Sequence, residues 1–141
     1  MALDYLVEIE NKGTAPTPEA LAQEMQRAFA LKKAERFLLG HGVTVSVFLN
    51  DDDYAESRFG GARPDICVAF RITKEQGLNS IGTNNMLGMA HWLMKRVPGD
   101  VVLSGDDDDV FLRKADGKIA PNAEHPFWTG ERATLLKKLG L

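Results

Sequence analysis

The carboxylates are the side chains of this sequence best placed to do chemistry, and they come in two runs. Asn50-Asp51-Asp52-Asp53 closes one alternating apolar segment, and Asp106-Asp107-Asp108-Asp109 separates Leu103-Ser104-Gly105 from Val110-Phe111-Leu112-Arg113. The runs hold seven of the 20 acidic residues of a chain whose formal net charge is only -3. Adjacent aspartates repel one another, so such a run is either a solvated turn or a contact for an external cation or a basic partner. Neither run has the sixth-position glycine and closing glutamate of an EF-hand loop, yet hard cations need only clustered oxygens. Weak binding of Ca2+ or Mg2+, or of another small ligand, is therefore the alternative reading. The first reading is that Asp51, Asp52, Asp53, Asp106, Asp107, Asp108 and Asp109 contact a protein partner.

The remaining reactive types do not assemble into a catalytic set. Cys67 sits mid-strand among apolar neighbours and reads as an inert, semi-buried thiol. His91 lies beside Trp92 on a long helix, His41 stands between two glycines in a turn, and His125 precedes Pro126 in a loop. Three histidines so placed match no zinc-type spacing. Gly60-Gly61 lacks the Gly-Lys-Ser/Thr of a phosphate loop, and no Gly-x-Ser-x-Gly elbow occurs. The expected catalytic, cofactor and metal sets are empty, and the expectation is no enzyme.

These side chains need a scaffold, and the apolar period supplies one. Leu3, Tyr5, Val7 and Ile9 alternate with polar or mixed residues, as do Val43, Val45, Val47 and Leu49, and Ile66, Val68, Phe70 and Ile72. Thr17 is placed as an N-cap with Pro18 at the first helical position and Glu19 in the first turn. Leu21, Met25, Ala28 and Phe29 form the stripe of that helix, which fades at Leu31-Lys32-Lys33. A short strand is expected at Arg36 to Leu39, closed by Gly40-His41-Gly42. A second helix is expected from Leu78 or Ser80 to Val97, carrying Met86, Met89, Ala90, Leu93 and Val97 and stopped by Pro98-Gly99. Asp100 to Ser104 and Val110 to Lys114 read as a hairpin about the aspartate run. A turn at Asp116-Gly117 leads to a strand at Lys118 to Ala120, and Thr129 caps a helix from Gly130 to Leu139. Asp51 to Asp65 is the longest irregular stretch, and connections beyond about 12 residues are usually functional or disordered.

Most strands are joined by connections too short for a parallel crossover. The expectation is one α+β domain over residues 1–141. Its antiparallel sheet would have about six strands, with two long helices packed on one face and a short C-terminal helix. Val45, Val47, Val68, Phe70, Met89, Leu93, Leu103 and Leu112 are the expected core. The opposite parity is mixed, with Leu6, Phe48, Cys67, Ala69, Val102 and Phe111 beside Glu8, Ser46, Arg71 and Arg113. Either that face is a contact surface, or the last helix covers it, anchored by Phe127 and Trp128.

Composition bounds the function. Hydrophobic residues at 44% and charged residues at 26% are ordinary for a soluble domain of 141 residues. A pI near 5.6 with no dominant basic patch argues against a nucleic-acid binder. The start lacks a basic and then apolar leader, no run of about 18 apolar residues is present, and a lone cysteine suits a reducing compartment. The expected address is cytoplasmic, with no membrane partner.

Several segments carry a resemblance. Met-Ala-Leu-Asp-Tyr-Leu-Val-Glu-Ile at the start, Thr-Pro-Glu-Ala-Leu (17–21) and Val-Ala-Phe-Arg-Ile-Thr-Lys (68–74) are three of them. Pro-Gly-Asp-Val-Val-Leu (98–103), Phe-Leu-Arg-Lys-Ala-Asp-Gly-Lys-Ile-Ala-Pro-Asn (111–122) and Phe127-Trp128 complete the set. The whole is similar to the immunity proteins of swarming-inhibitor polymorphic toxin systems, small cytoplasmic antitoxins encoded beside a lipoprotein-delivered toxin. The resemblance spans nearly the whole chain as a pattern of strands and turns. It implies that the chain binds and neutralises a cognate toxin without chemistry of its own. It carries over no functional residues, and the chain departs from the pattern at Asp106 to Asp109 and Asp51 to Gly61.

Overall fold

Alternation along the strands becomes two chemically distinct sheet faces. A computed structural model of the chain describes residues 2–50, 58–61, 63–107 and 109–141. In chain order the elements are β1 (Ala2–Ile9), α1 (Pro18–Ala28), β2 (Lys32–Ala34), β3 (Phe37–Gly40), β4 (Val43–Asn50) and β5 (Asp65–Thr73). There follow α2 (Asn79–Arg96), β6 (Val101–Gly105), β7 (Val110–Ala115), β8 (Lys118–Pro121) and α3 (Glu131–Lys138). The described strands form one open antiparallel sheet in the order β2-β3-β4-β5-β1-β6-β7-β8. The class is α+β as expected, but the sheet has eight strands rather than six. The extra pairing includes β2, where Lys32 sits opposite Leu39 and Ala34 opposite Phe37. Two lysines carry no strand signal; their pairing with β3 makes the strand.

Tyr5, Val7 and Ile9 of β1 stand opposite Phe70, Val68 and Ile66 of β5, and Val45 of β4 is opposite Phe70. On the other flank Val7 meets Leu103 and Ile9 meets Val101. These side chains form one buried cluster with Leu21 and Met25 of α1, Met86, Met89, Leu93 and Met94 of α2, and Leu136 of α3. Every expected core residue is buried except Val47, which is half-buried against the cluster.

The helix ends follow the local chemistry in part. Thr17 caps α1, its Oγ1 accepting from the Ala20 N–H at 3.2 Å, with Pro18 first in the helix. Thr129 does not cap α3; Gly130 holds that position at φ +59, and the Thr129 hydroxyl donates to the Pro126 carbonyl instead. The C-terminal end of α2 is met by Lys114 of β7, whose Nζ donates to the Val97 carbonyl. Burial lowers the Lys114 ammonium below its ordinary range, with Asp100 opposing the shift and Lys12 adding to it.

At the start of α2 the backbone comes into contact with the β3–β4 turn. A Cβ on Gly82 would lie 2.1 Å from the Gly42 carbonyl oxygen, and Gly42 itself has φ +75. Asn85 Nδ2 donates to the His41 carbonyl at 2.9 Å, and the Thr73 N–H donates to the Gly42 carbonyl at 3.2 Å. His41 is therefore part of a docked turn.

The two sheet edges are short. On one side β2 spans Lys32–Ala34, and on the other β8 spans Lys118–Pro121.

Candidate partner-binding site

The aspartate run after Gly105 caps the β6–β7 hairpin, and the base of that hairpin is built from aromatic rings. A register shift between Leu103 and Ser104 leaves Phe111 unpaired while Leu103 faces Leu112. Such a bulge sends two consecutive side chains to one face. Phe111 accordingly joins the core rather than the mixed parity expected of it, stacked on Phe127 at 4.2 Å and tilted against Tyr5 at 6.0 Å. A Cβ on Gly105 would lie 2.9 Å from the Phe111 ring, so the glycine makes room for it. Trp128 Nε1 donates to the Phe111 carbonyl at 2.8 Å, and the Arg132 guanidinium lies 4.2 Å over the Phe127 ring. Phe127 and Trp128 thus fasten the C-terminal segment to the core, and they do not carry α3 over the mixed face.

On this base the aspartates divide. Asp106 and Asp107 are exposed in the turn. Asp109 is committed: its Oδ2 lies 3.2 Å from His125 Nε2, and its carbonyl accepts from the Gly105 N–H at 3.1 Å. His125 Nδ1 accepts from the Phe127 N–H at 3.0 Å, so the neutral ring carries its proton on Nε2 and donates it to Asp109. The chain from Asp109 through His125 to Phe127 ties the turn to the aromatic base. Burial pushes the Tyr5 phenol above its ordinary value, Arg132 works against that shift, and Asp106 works with it. Asp108 lies outside the described residues, as do Asp51, Asp52 and Asp53.

Asn50 and Gly105, the described residues from which the two runs leave the sheet, lie at opposite ends of it. Asn50 pairs with Asp65 one step beyond Ile9–Ile66, whereas Gly105 pairs with Tyr5. The separation is about 17 Å along the strands at the usual rise. The two acidic segments are therefore anchored apart and do not form one patch at their bases.

The far face holds an ion pair that alternation could not reveal. Glu8 and Asp65 are buried, and Arg58 Nε lies 2.9 Å from Glu8 Oε1. The Arg58 N–H also donates to Asp65 Oδ2 at 3.1 Å. The only signal was a polar residue on a strand beside a long connection, which ordinarily marks a solvent face.

Cys67 lies in the same neighbourhood, opposite Glu8 on β5. Burial, then Glu8 and then Asp65, push its thiol from 9.0 up to about 12. The folded thiol keeps its proton where the unfolded one has lost it, so its contribution to stability is complete below pH 9 and falls from there toward pH 12. Denaturant unfolding across that window is expected to show the wild type losing stability relative to Cys67→Ala, by up to about 1.4 kcal/mol per pH unit. Parallel curves for the two proteins would contradict this placement of the thiol.

Among the described residues no group of three histidine, cysteine, aspartate or glutamate side chains is placed to hold a metal ion. Among them, too, no helix is long and apolar enough to cross a membrane.

A family model described as SitI3-like matches residues 3–132, from β1 into the first turn of α3. The chain belongs to the SitI3-like family. The matched span of this SitI3-like chain includes all eight strands but for Ala2, the aspartate hairpin and the aromatic base. The SitI3-like family is of the Sit immunity type, which agrees with the resemblance drawn from the strands and turns. No curated protein and no solved structure matches the chain.

Proposed function

We propose that this chain is a non-enzymatic, cytoplasmic immunity protein that binds and neutralises a cognate polymorphic toxin. The SitI3-like match over residues 3–132 carries the reading. The test is growth: the toxin gene beside this chain's gene is expressed in a heterologous host, alone and with this chain. Co-expression restores growth, and the two purified proteins elute together as a complex. Failure of the chain to protect against, and to bind, the toxin encoded beside it overturns the reading.

Within that function, Asp51, Asp52, Asp53, Asp106, Asp107, Asp108 and Asp109 are partner contacts. Toxin sites that act on anionic substrates present basic clefts, and carboxylates projecting from a braced hairpin can occupy such a cleft as phosphate does. Exposed charge of this kind acts mainly on the association rate and on orientation. Changing Asp106 and Asp107 to Asn, with Asp109 kept on His125, leaves stability within about 0.5 kcal/mol, because exposed turn residues contribute little. Association with the toxin slows by roughly one decade or more at low salt, and by less at high salt as screening takes over. An unchanged association rate at low ionic strength would make the turn merely solvated.

A further inference from the structure

On the far face of β3 and β4 three large apolar side chains stand in solvent. Phe37, Leu39 and Phe48 are 44%, 39% and 43% exposed, and they are three of the five large hydrophobics left exposed among the described residues. Leu39 pairs with Thr44 and Thr44 with Arg71, while Phe48 pairs with Cys67, which puts all of them on the face that carries Leu6, Glu8 and Val102. Phe37 lies two residues from Leu39 on the same strand and so shares its face. Directly opposed and diagonal side chains on a sheet lie about 5–8 Å apart, so the three make one continuous strip.

The strip has a charged rim. Lys32 sits opposite Leu39 on β2, and Arg36 is exposed in the turn before Phe37. Lys33 is exposed on the other face of β2. None of these three cations has an ion-pair partner among the described residues, whereas Arg71, beside Thr44, is paired with Asp4 at 3.1 Å. Among the described residues the nearby carboxylates are Asp4, held on Arg71, Glu35 in the turn and Glu19, which lines with Lys33, Arg36 and Phe37 a groove of about 320 Å³ around the sheet edge. Among the described residues the rim is thus locally positive at the β2–β3 edge, in a chain of net charge -3.

We propose that this strip is the apolar centre of the toxin interface and receives a protein surface of apolar side chains ringed by carboxylates. The inference rests on the immunity reading above. Interface centres are enriched in aromatic residues and depleted in charge, with a polar rim, which is the arrangement found here. A two-fold pairing of this chain with itself through the strip would gather the unpaired cations Lys32 and Arg36 of both copies into one interface. Nucleic acid is disfavoured by the acidic net charge and by Glu35 and Asp4 at the same rim. The strip and the aspartate turn then have separate duties: the turn governs how fast the complex forms, and the strip governs how long it lasts. From β3 to β6 is four strand spacings, roughly 19 Å. The partner's acid-ringed apolar patch is therefore that far from the basic groups that meet the turn.

The test uses the toxin encoded beside this chain's gene as the probe, in surface-based binding kinetics. The double variant Phe37→Ser, Phe48→Ser keeps its melting temperature within a few degrees. It dissociates at least tenfold faster, with an association rate within about threefold of wild type. Lys32→Glu with Arg36→Glu, a change of exposed side chains, weakens the complex by at least fivefold, and this variant decides the matter if the serine variant does not fold. Dissociation unchanged in either folded variant overturns the strip as interface while the immunity reading stands. Wild type that self-associates in sedimentation through these residues, or binds a single-stranded RNA oligonucleotide through them, overturns it as well. A wild-type chain that binds no toxin overturns the immunity reading, and this inference with it.

Discussion

Phe70→Ala lowers the free energy of unfolding by about 3–5 kcal/mol, measured by denaturant titration, and the melting temperature by on the order of 10 °C. Phe70 is among the largest fully buried side chains and occupies the middle of the sheet, opposite Tyr5 on one side and Val45 on the other. Strands flank it on both sides and the helix side chains of the core lie over it, so little can collapse into the space left by the ring. Both the lost transfer energy and the cavity then count in full. Phe70→Leu, which keeps most of the volume, is expected to lose less than half as much. A loss below about 1 kcal/mol for the alanine variant would show that this position is not at the centre of the core.

Gly82→Ala destabilises by about 1–3 kcal/mol, although alanine is the better helix former by about 1 kcal/mol. The sign reverses because the new methyl group would meet backbone on the far side: the Gly42 carbonyl oxygen at 2.1 Å and its carbon at 2.7 Å. No rotamer change relieves a clash between two main chains. The same helix supplies the control. A Cβ on Gly88 would meet nothing within 4 Å, so Gly88→Ala is expected to stabilise by several tenths of a kcal/mol. If both alanines stabilise, the contact between α2 and the β3–β4 turn is looser than described.

Strand identity was legible wherever one face is buried, because burial imposes the period of two. That holds for the central strands β1, β4 and β5, read from alternating aliphatic and aromatic residues, whereas β6, buried on both faces, was read as one arm of the hairpin about the aspartate run. The period of two fails for β2, an edge strand of two lysines and an alanine that owes its conformation to hydrogen bonding with β3. It fails at Phe111 too, since a bulge changes parity without leaving a mark on the side chains around it. Thr129 is a good capping residue in isolation, yet its hydroxyl is spent on Pro126 and a glycine at positive φ starts α3.

The candidate site was legible as charge but not as geometry. Four consecutive aspartates look equivalent in a sequence. The fold leaves Asp106 and Asp107 exposed and commits Asp109, because His125 arrives from sixteen residues away. Nor could local pattern show that Asn50 and Gly105, which precede the aspartates, lie at opposite ends of the sheet, which depends on β1 lying between β5 and β6. The exposed strip escaped notice for a related reason. Phe37 and Leu39 read as an ordinary short strand until the sheet order shows that they share a face with Phe48.

The short edges bear on how much of this protein a cell can hold. Under the immunity reading proposed above, the chain has to avoid pairing with its own copies at whatever abundance neutralising a toxin demands, including while newly made chains are still folding. Long, flat, unprotected edge strands are the usual route to runaway pairing between copies. Here one edge ends in Lys32 and Lys33 and the other in a strand of four residues closed by Pro121, which has no N–H to donate. Each offers a second copy too few free main-chain groups, and too much charge, to extend the sheet across molecules.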